Sequence, residues 1–316
     1  MTDKQKKAEL LAKLLREVQG ITFLSEKEKT AMLERVLESD YIDLTVDYGF
    51  KYVFGQHPEL LRRLLEDILE LDIDALEYLP EQLSGTLVQD RYIVMDVVAT
   101  LRDGSRIVIE MQNAVPKDLR NRLVYYGSAL IYNQLKRGSE EYNYKDVHVL
   151  IFLNGVLPHA RDFGGRLLYR YLIRERDSGE PYGRQLQLTV CELPNLAAGS
   201  EETMSAAEKW CYYFRNMKNF TTLAGGPKRL GERYDSLIDA SKTRRFSDDE
   251  WKNYATAMFT QREIDNLTQP DYERGLEDGF SKGRTEIAAA MKAAGEPVEK
   301  IALFTGLSAD EIDKLD

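Results

Sequence analysis

Two apolar runs, each interrupted by a single acid, constrain this chain more than any other feature. Residues 92–101 read YIVMDVVATL and residues 106–112 read RIVIEMQ, joined through Arg102-Asp103-Gly104-Ser105. Their Val and Ile content is that of β-strands, and Asp96 and Glu110 are their only acids. A carboxylate that deep in a strand is costly unless something compensates it. Register decides whether the two acids meet. With Asp103-Gly104 as a two-residue turn, Asp96 would face Met111 and Glu110 would point to the other side. With Arg102-Asp103-Gly104 as a three-residue loop and Gly104 in the left-handed position, residue 101 pairs with 105 and Asp96 falls opposite Glu110. Gly at the third position is what that geometry requires, so the second register is expected.

Gln112 then lies two residues beyond Glu110, on the same strand face. Two carboxylates about 4 Å apart repel by about 4 kcal/mol at an effective dielectric near 20. Either one is protonated or a cation sits between them. Hard divalent ions take oxygen ligands, and Mg²⁺ commonly uses one or two carboxylates plus substrate phosphate. Metal-assisted phosphodiester cleavage is one reading. The other is a buried ion pair with Arg120 or Arg122, and spacing alone leaves both open.

The surrounding pattern is α/β. Lys4–Val18 reads as an amphipathic helix, and Ser25 through Glu28 as a capping box opening a second. Residues 58–70 repeat Leu at helical spacing behind Pro58. A long helix is expected over Lys117–Lys136, stopped by Gly138, followed by the continuous apolar strand Val147–Leu153. Gln185–Leu193 alternates as a half-exposed strand, and only helices are expected from Ser200 onward. That order suggests an α/β core with a helical C-terminal extension.

Charge sharpens the functional side. The net charge is −10, which argues against a protein coated with nucleic acid over its whole surface. The charge is uneven: residues 47–100 carry −7 and 246–316 carry −8, but 101–245 carry +6. Within that middle block, Lys228, Arg229, Arg233, Lys242, Arg244 and Arg245 make a basic stretch that reads as a solvated helix face or a phosphate-contacting surface. No run is long enough to span a membrane, and the charged N-terminal stretch does not read as a secretory signal. Cys191 and Cys211 form no CxxC pair and the three histidines lack metal-ligand spacing, so a reducing cytoplasm is expected. Gly275, Gly279 and Gly283 line one side of a helix, where a helix–helix or dimer contact between copies of the chain is one reading and a loosely packed tail, since Gly weakens a helix, the favoured one. The terminal Val298–Leu315 has a helix-turn-helix outline, but its second helix, SADEIDKL, has the wrong charge for a phosphate backbone and suits a protein contact.

Several segments together resemble the PD-(D/E)XK nuclease superfamily, and within it the recombination-promoting nuclease (Rpn) and transposase family. They are DYGFKYVFG at 47–55, the strands bearing Asp96 and Glu110-Met111-Gln112, RLVYYGSALIYNQLKRG at 122–138, EKWCYYFRN at 208–216 and the tail EKIALFTGLSADEIDKL. The resemblance implies a restriction-endonuclease-like αβββαβ core that binds Mg²⁺, with Mn²⁺ as a substitute, and cuts DNA. It covers most of residues 41–315, with the nuclease core expected at 41–198, a helical extension at 199–269 and a helical tail at 270–316, and leaves a helical N-terminal arm at 1–40 outside it. Asp96 and Glu110 match the metal-binding acids, and Gln112 stands where the superfamily usually has Lys. Asp47 matches the acid opening the first motif and would add a metal ligand. Lys51, on the same face if the segment is helical, would supply the charge Gln112 lacks. Arg122 and Tyr126 would face the DNA. Met95 replaces the superfamily's Pro. Gln for Lys removes a cation beside the developing phosphorane charge, which implies slow turnover or a base from elsewhere. The alternative is a weak or inactive member serving as a DNA-binding or assembly scaffold.

Overall fold

A computed structural model of the chain describes residues 3–79, 82–83, 93–94, 96–135, 141–158, 165–197 and 203–314. Four helices come first: α1 (Asp3–Glu17), α2 (Glu26–Glu38), α3 (Asp47–Phe54) and α4 (Pro58–Leu69). The strands follow as β1 (Leu76–Leu79), β2 (Gln82–Leu83), β3 (Ile93–Val94), β4 (Val97–Leu101) and β5 (Arg106–Gln112). Helix α5 (Leu119–Tyr132) leads to β6 (Val147–Leu153), β7 (Leu168–Leu172) and β8 (Leu186–Glu192). The longer helices after them are α6 (Ala206–Asn216), α7 (Asp235–Ala240), α8 (Asp248–Ala293), α9 (Val298–Thr305) and α10 (Ala309–Asp313). The chain divides into two compact units, Met1–Asp265 and Asn266–Asp316.

The first unit is built on a six-stranded mixed sheet of order β1-β4-β5-β6-β8-β7. The β1–β4, β4–β5 and β7–β8 pairs are antiparallel, while β5–β6 and β6–β8 are parallel. From α3 and α4 through β1, β4, β5, α5 and β6 the order is αβββαβ, the expected core. All seven residues of β6 are buried, as its unbroken apolar run requires. Alternation along β5 splits the core in two. Ile107, Ile109 and Met111 join the cluster of α3, α4 and α6, whereas Val108 joins Leu119, Leu123 and Leu130 of α5. Helix α1 packs with α2 and the start of α8 through Leu14, Val18, Leu33, Leu37, Ala255 and Phe259.

Local rules account for several boundaries. Ser25 and Glu28 form the expected capping box, Pro58 occupies the first turn of α4, and Leu60, Leu61, Leu64, Leu65 and Ile68 bury its apolar stripe. Three expectations need correction. The single strand expected over Tyr92–Leu101 is broken: Ile93–Val94 pair with Gln82–Leu83 in a separate ribbon, and β4 begins only at Val97. Just before β4, the Asp96 amide donates to a Glu110 carboxylate oxygen (3.2 Å). Helix α5 is shorter than Lys117–Lys136, and Gly138 lies outside the described residues. Strands β1 and β7, short and with exposed central residues, have no counterpart in the sequence reading.

The second unit has its own small cluster, Ala288, Ile301 and Ile312, with Val298 and Leu307 against it. Ser308 and Glu311 form a capping box at α10, which produces the helix-turn-helix outline. Among the described residues no helix is long and apolar enough to cross a membrane.

Candidate active site

The hairpin sets the site. Val97 pairs with Ile109 and Thr100 with Arg106, so Leu101 falls opposite Ser105 and Asp96 opposite Glu110. The Gly104 φ of 90° makes the three-residue loop, closed by Leu101 N–H to Ser105 O (2.8 Å) and Gly104 N–H to Leu101 O (2.9 Å). Asp103 braces the turn by accepting from the Ser105 amide and hydroxyl. The expected register therefore holds.

Asp96 and Glu110 are buried, 8% and 2% exposed. Met111 N–H donates to Asp96 Oδ2 at 2.7 Å, while Asp96 N–H donates to Glu110 Oε1. Burial, the Glu110 charge and the Asp47 charge push the Asp96 carboxyl well above the usual carboxylate range, against the Met111 amide. Burial also pushes Glu110 up to about 7, opposed by Arg122, the Asp96 amide and Lys51 and assisted by Asp47. Burial is the first cause at both acids, and the cations beside them, Lys51 at Asp96 and Arg122 at Glu110, do not cancel it.

Helix α3 brings the other two groups. Phe50 and Phe54 anchor it in an aromatic cluster, with Phe50 6.2 Å from Phe152 of β6 and Phe54 5.6 Å from Phe214 of α6. That leaves Asp47 and Lys51, one turn apart, facing the hairpin. Lys51 Nζ lies 3.2 Å from Asp47 Oδ1 and 3.5 Å from Asp96 Oδ1. Asp47 Oδ1 is buried and, beyond that ionic contact, accepts no hydrogen bond. From α5, Arg122 Nη2 lies 3.7 Å from Glu110 Oε2 and 3.3 Å from the Tyr126 hydroxyl, its guanidinium 5.6 Å from the Tyr126 ring centre. The ion-pair reading is therefore realised at Arg122, while Arg120 instead donates to the Pro158 carbonyl. Gln112 ends β5, half-buried, on the Glu110 face. No hydrogen bond of its side chain reaches another described residue.

Two features escape the sequence reading. Gly49 sits where an added Cβ would lie 2.1 Å from the Asp43 carbonyl oxygen, so only glycine lets α3 approach this closely. Asn113 and Asn154 follow the parallel strands β5 and β6 and are joined by a 2.6 Å hydrogen bond beside Gln112. Their signal was an Asn directly after each apolar run, MQN and FLN. The basic stretch is partly consumed internally: Arg233 pairs with Glu66 and Asp67, Arg229 with Asp235 and Lys242 with Asp239.

Among the described residues no three His, Cys, Asp or Glu side chains stand in a ready-made metal cluster. The oxygen-only donor set of Asp96 and Glu110, with Asp47 behind them, still fits a hard divalent ion that takes its remaining ligands from water and phosphate.

A family model for PD-(D/E)XK nuclease family transposases matches residues 44–267, a span holding Asp47, Lys51, the hairpin and α5. No curated protein and no solved structure matches the chain. With most of its length matched, including every residue gathered at this site, the chain belongs to the PD-(D/E)XK nuclease transposase family.

Proposed function

We propose that the protein is a Mg²⁺-dependent DNA endonuclease, with Mn²⁺ able to substitute, acting in recombination or transposition. The observation that carries this reading is the side-by-side placement of the buried Asp96 and Glu110, with Lys51 beside Asp96 and Arg122 beside Glu110. Asp96 and Glu110 would hold the ion, with Asp47 a third oxygen donor. When bound, such an ion polarises a phosphoryl oxygen and lowers the pKa of a water molecule. Lys51 places its ammonium where negative charge grows on the phosphate, the position Gln112 cannot serve. Arg122, fixed by Tyr126, holds a phosphate oxygen at the Glu110 side. The Gln112 amide can orient a water molecule by hydrogen bonding but cannot carry its proton away.

Nicking of supercoiled plasmid with Mg²⁺ or Mn²⁺ tests this. Wild type should cut, and Asp96→Ala and Glu110→Ala should not. Equal signal from all three proteins sinks the enzyme reading. It would leave the alternative, favoured by Gln112 in the lysine position, of a nuclease fold used as a DNA-binding or assembly scaffold.

A further inference from the structure

Helix α5 uses only part of its surface for packing. Leu119, Leu123, Gly127 and Leu130 are buried, and Arg122 and Tyr126 flank the acidic site. The outward side carries Tyr125, 51% exposed, and Val124, 47% exposed, with Tyr132, 60% exposed, two turns further on. Tyr125 makes no ring contact or hydrogen bond with another described residue. An exposed aromatic side next to a polar site needs an occupant.

Charge identifies it. The chain holds 53 acids in 316 residues, yet the 14 residues of α5 contain none and include Arg120 and Arg122. Asp118, just before the helix, is the nearest acid in sequence, and Lys117 precedes it. A second copy of the chain would fit poorly, because a two-fold contact sets this acid-free, arginine-bearing surface against itself. A closed duplex fits the phosphates but not the ring, since its base faces are covered by their neighbours. A single strand offers both a phosphate for Arg122 and bare base faces for tyrosine.

We infer that the exposed side of α5 is a stacking track for unpaired DNA bases, with Tyr125 its contact nearest the acids, so that the site takes single-stranded or frayed DNA in preference to closed duplex. This rests on the nuclease reading for its location but not for its test. The strand would pass Tyr125 and reach the carboxylates alongside Arg122, so a base held on the ring positions the phosphate one turn away.

The test is fluorescence anisotropy in EDTA on the full chain, with labelled oligothymidylate of about 20 nucleotides, longer than the usual single-strand site, and a duplex of the same length. Wild type should bind the single strand roughly tenfold or more tighter than the duplex. Tyr125→Ala should lose about tenfold on the single strand and leave the duplex unchanged, while Tyr125→Phe, which keeps the ring, binds as wild type. Equal loss on both DNAs, or no loss, overturns the inference. So does a wild-type dimer that Tyr125→Ala converts to monomer, because a second copy then covers the face. Plasmid nicking by the same preparation separates the two readings. Without nicking but with Tyr125-dependent binding, the nuclease reading falls and this one stands; nicking with no Tyr125 dependence does the reverse.

Discussion

Asp96 and Glu110 are cross-braced: the Asp96 amide donates to the Glu110 carboxylate at 3.2 Å, and the Asp96 carboxylate accepts from the amide of Met111, next to Glu110. Each acid is thereby fixed by the opposite strand's main chain or side chain.

The same cluster should make stability depend on pH and metal together. Both acids have raised pKa values when folded, so the native state keeps protons that the unfolded chain releases above the ordinary carboxylate range. Stability should therefore fall as pH rises from about 4 through about 7, with no further slope from Glu110 beyond that. In EDTA the wild-type Tm should drop more between pH 5 and pH 8 than that of Asp96→Asn. Adding Mg²⁺ or Mn²⁺ at pH 8 should recover that difference in wild type alone. Parallel Tm curves for the two proteins, with and without metal, would refute this origin.

Gly49 should control the site without touching it. A methyl group there would lie 2.1 Å from the Asp43 carbonyl oxygen, so α3 must shift and carry Asp47 and Lys51 with it. Overpacking of this kind costs about 1–3 kcal/mol. Gly49→Ala is expected to lower Tm and to weaken Mn²⁺ binding in calorimetric titration. Ile107→Val, in the core away from the acids, should lower Tm and leave Mn²⁺ binding alone. The same change in Mn²⁺ affinity in both variants would mean general loosening.

Gly49 also marks the limit of what could be read beforehand. The hairpin was legible because the turn offered only two registers, and the three-residue loop with Gly104 at its third position is the one that brings Asp96 to Glu110. The β6 run was legible because continuous burial leaves continuous apolarity. The contact at Gly49 was not, because its partner is a carbonyl, and a main-chain oxygen leaves no mark on composition. Strands β1 and β7 were missed because their central residues are exposed, so the apolar pattern that announces a strand is absent. The ion pair of Arg122 depended on how α5 crosses the sheet, so Arg120 and Arg122 could not be separated by spacing.

Arg122 should act on both substrate and acid. It lies 3.7 Å from Glu110 and helps hold that carboxyl down, and in the proposed reaction it also takes a phosphate oxygen. Arg122→Gln should raise KM for DNA and reduce the salt dependence of binding by about 0.7–0.9 in log–log slope, the value of one phosphate contact. Its pH–rate profile should shift upward, because Glu110 then loses its proton at higher pH. An unchanged salt slope with a shifted profile would show that Arg122 only pairs internally, and no change in either would refute both roles.

The question left by Gln112 has a sharp answer in Lys51. Gln112 occupies the strand position that faces the Glu110 side, yet the nearest ammonium to Asp96 comes from α3. If Lys51 has taken over that charge, Lys51→Met should cost about 10²–10³-fold in single-turnover cleavage, the usual scale for removing one group that stabilises transition-state charge. Adding Gln112→Lys to that variant should recover a large part of the loss, because a Lys at residue 112 returns a cation to the Glu110 face. In wild type, Gln112→Lys should change the rate little, since the charge is already supplied. Lys51→Met cutting at the wild-type rate, or Gln112→Lys failing to rescue while Tm and Mn²⁺ binding stay normal, would show that the charge comes from elsewhere.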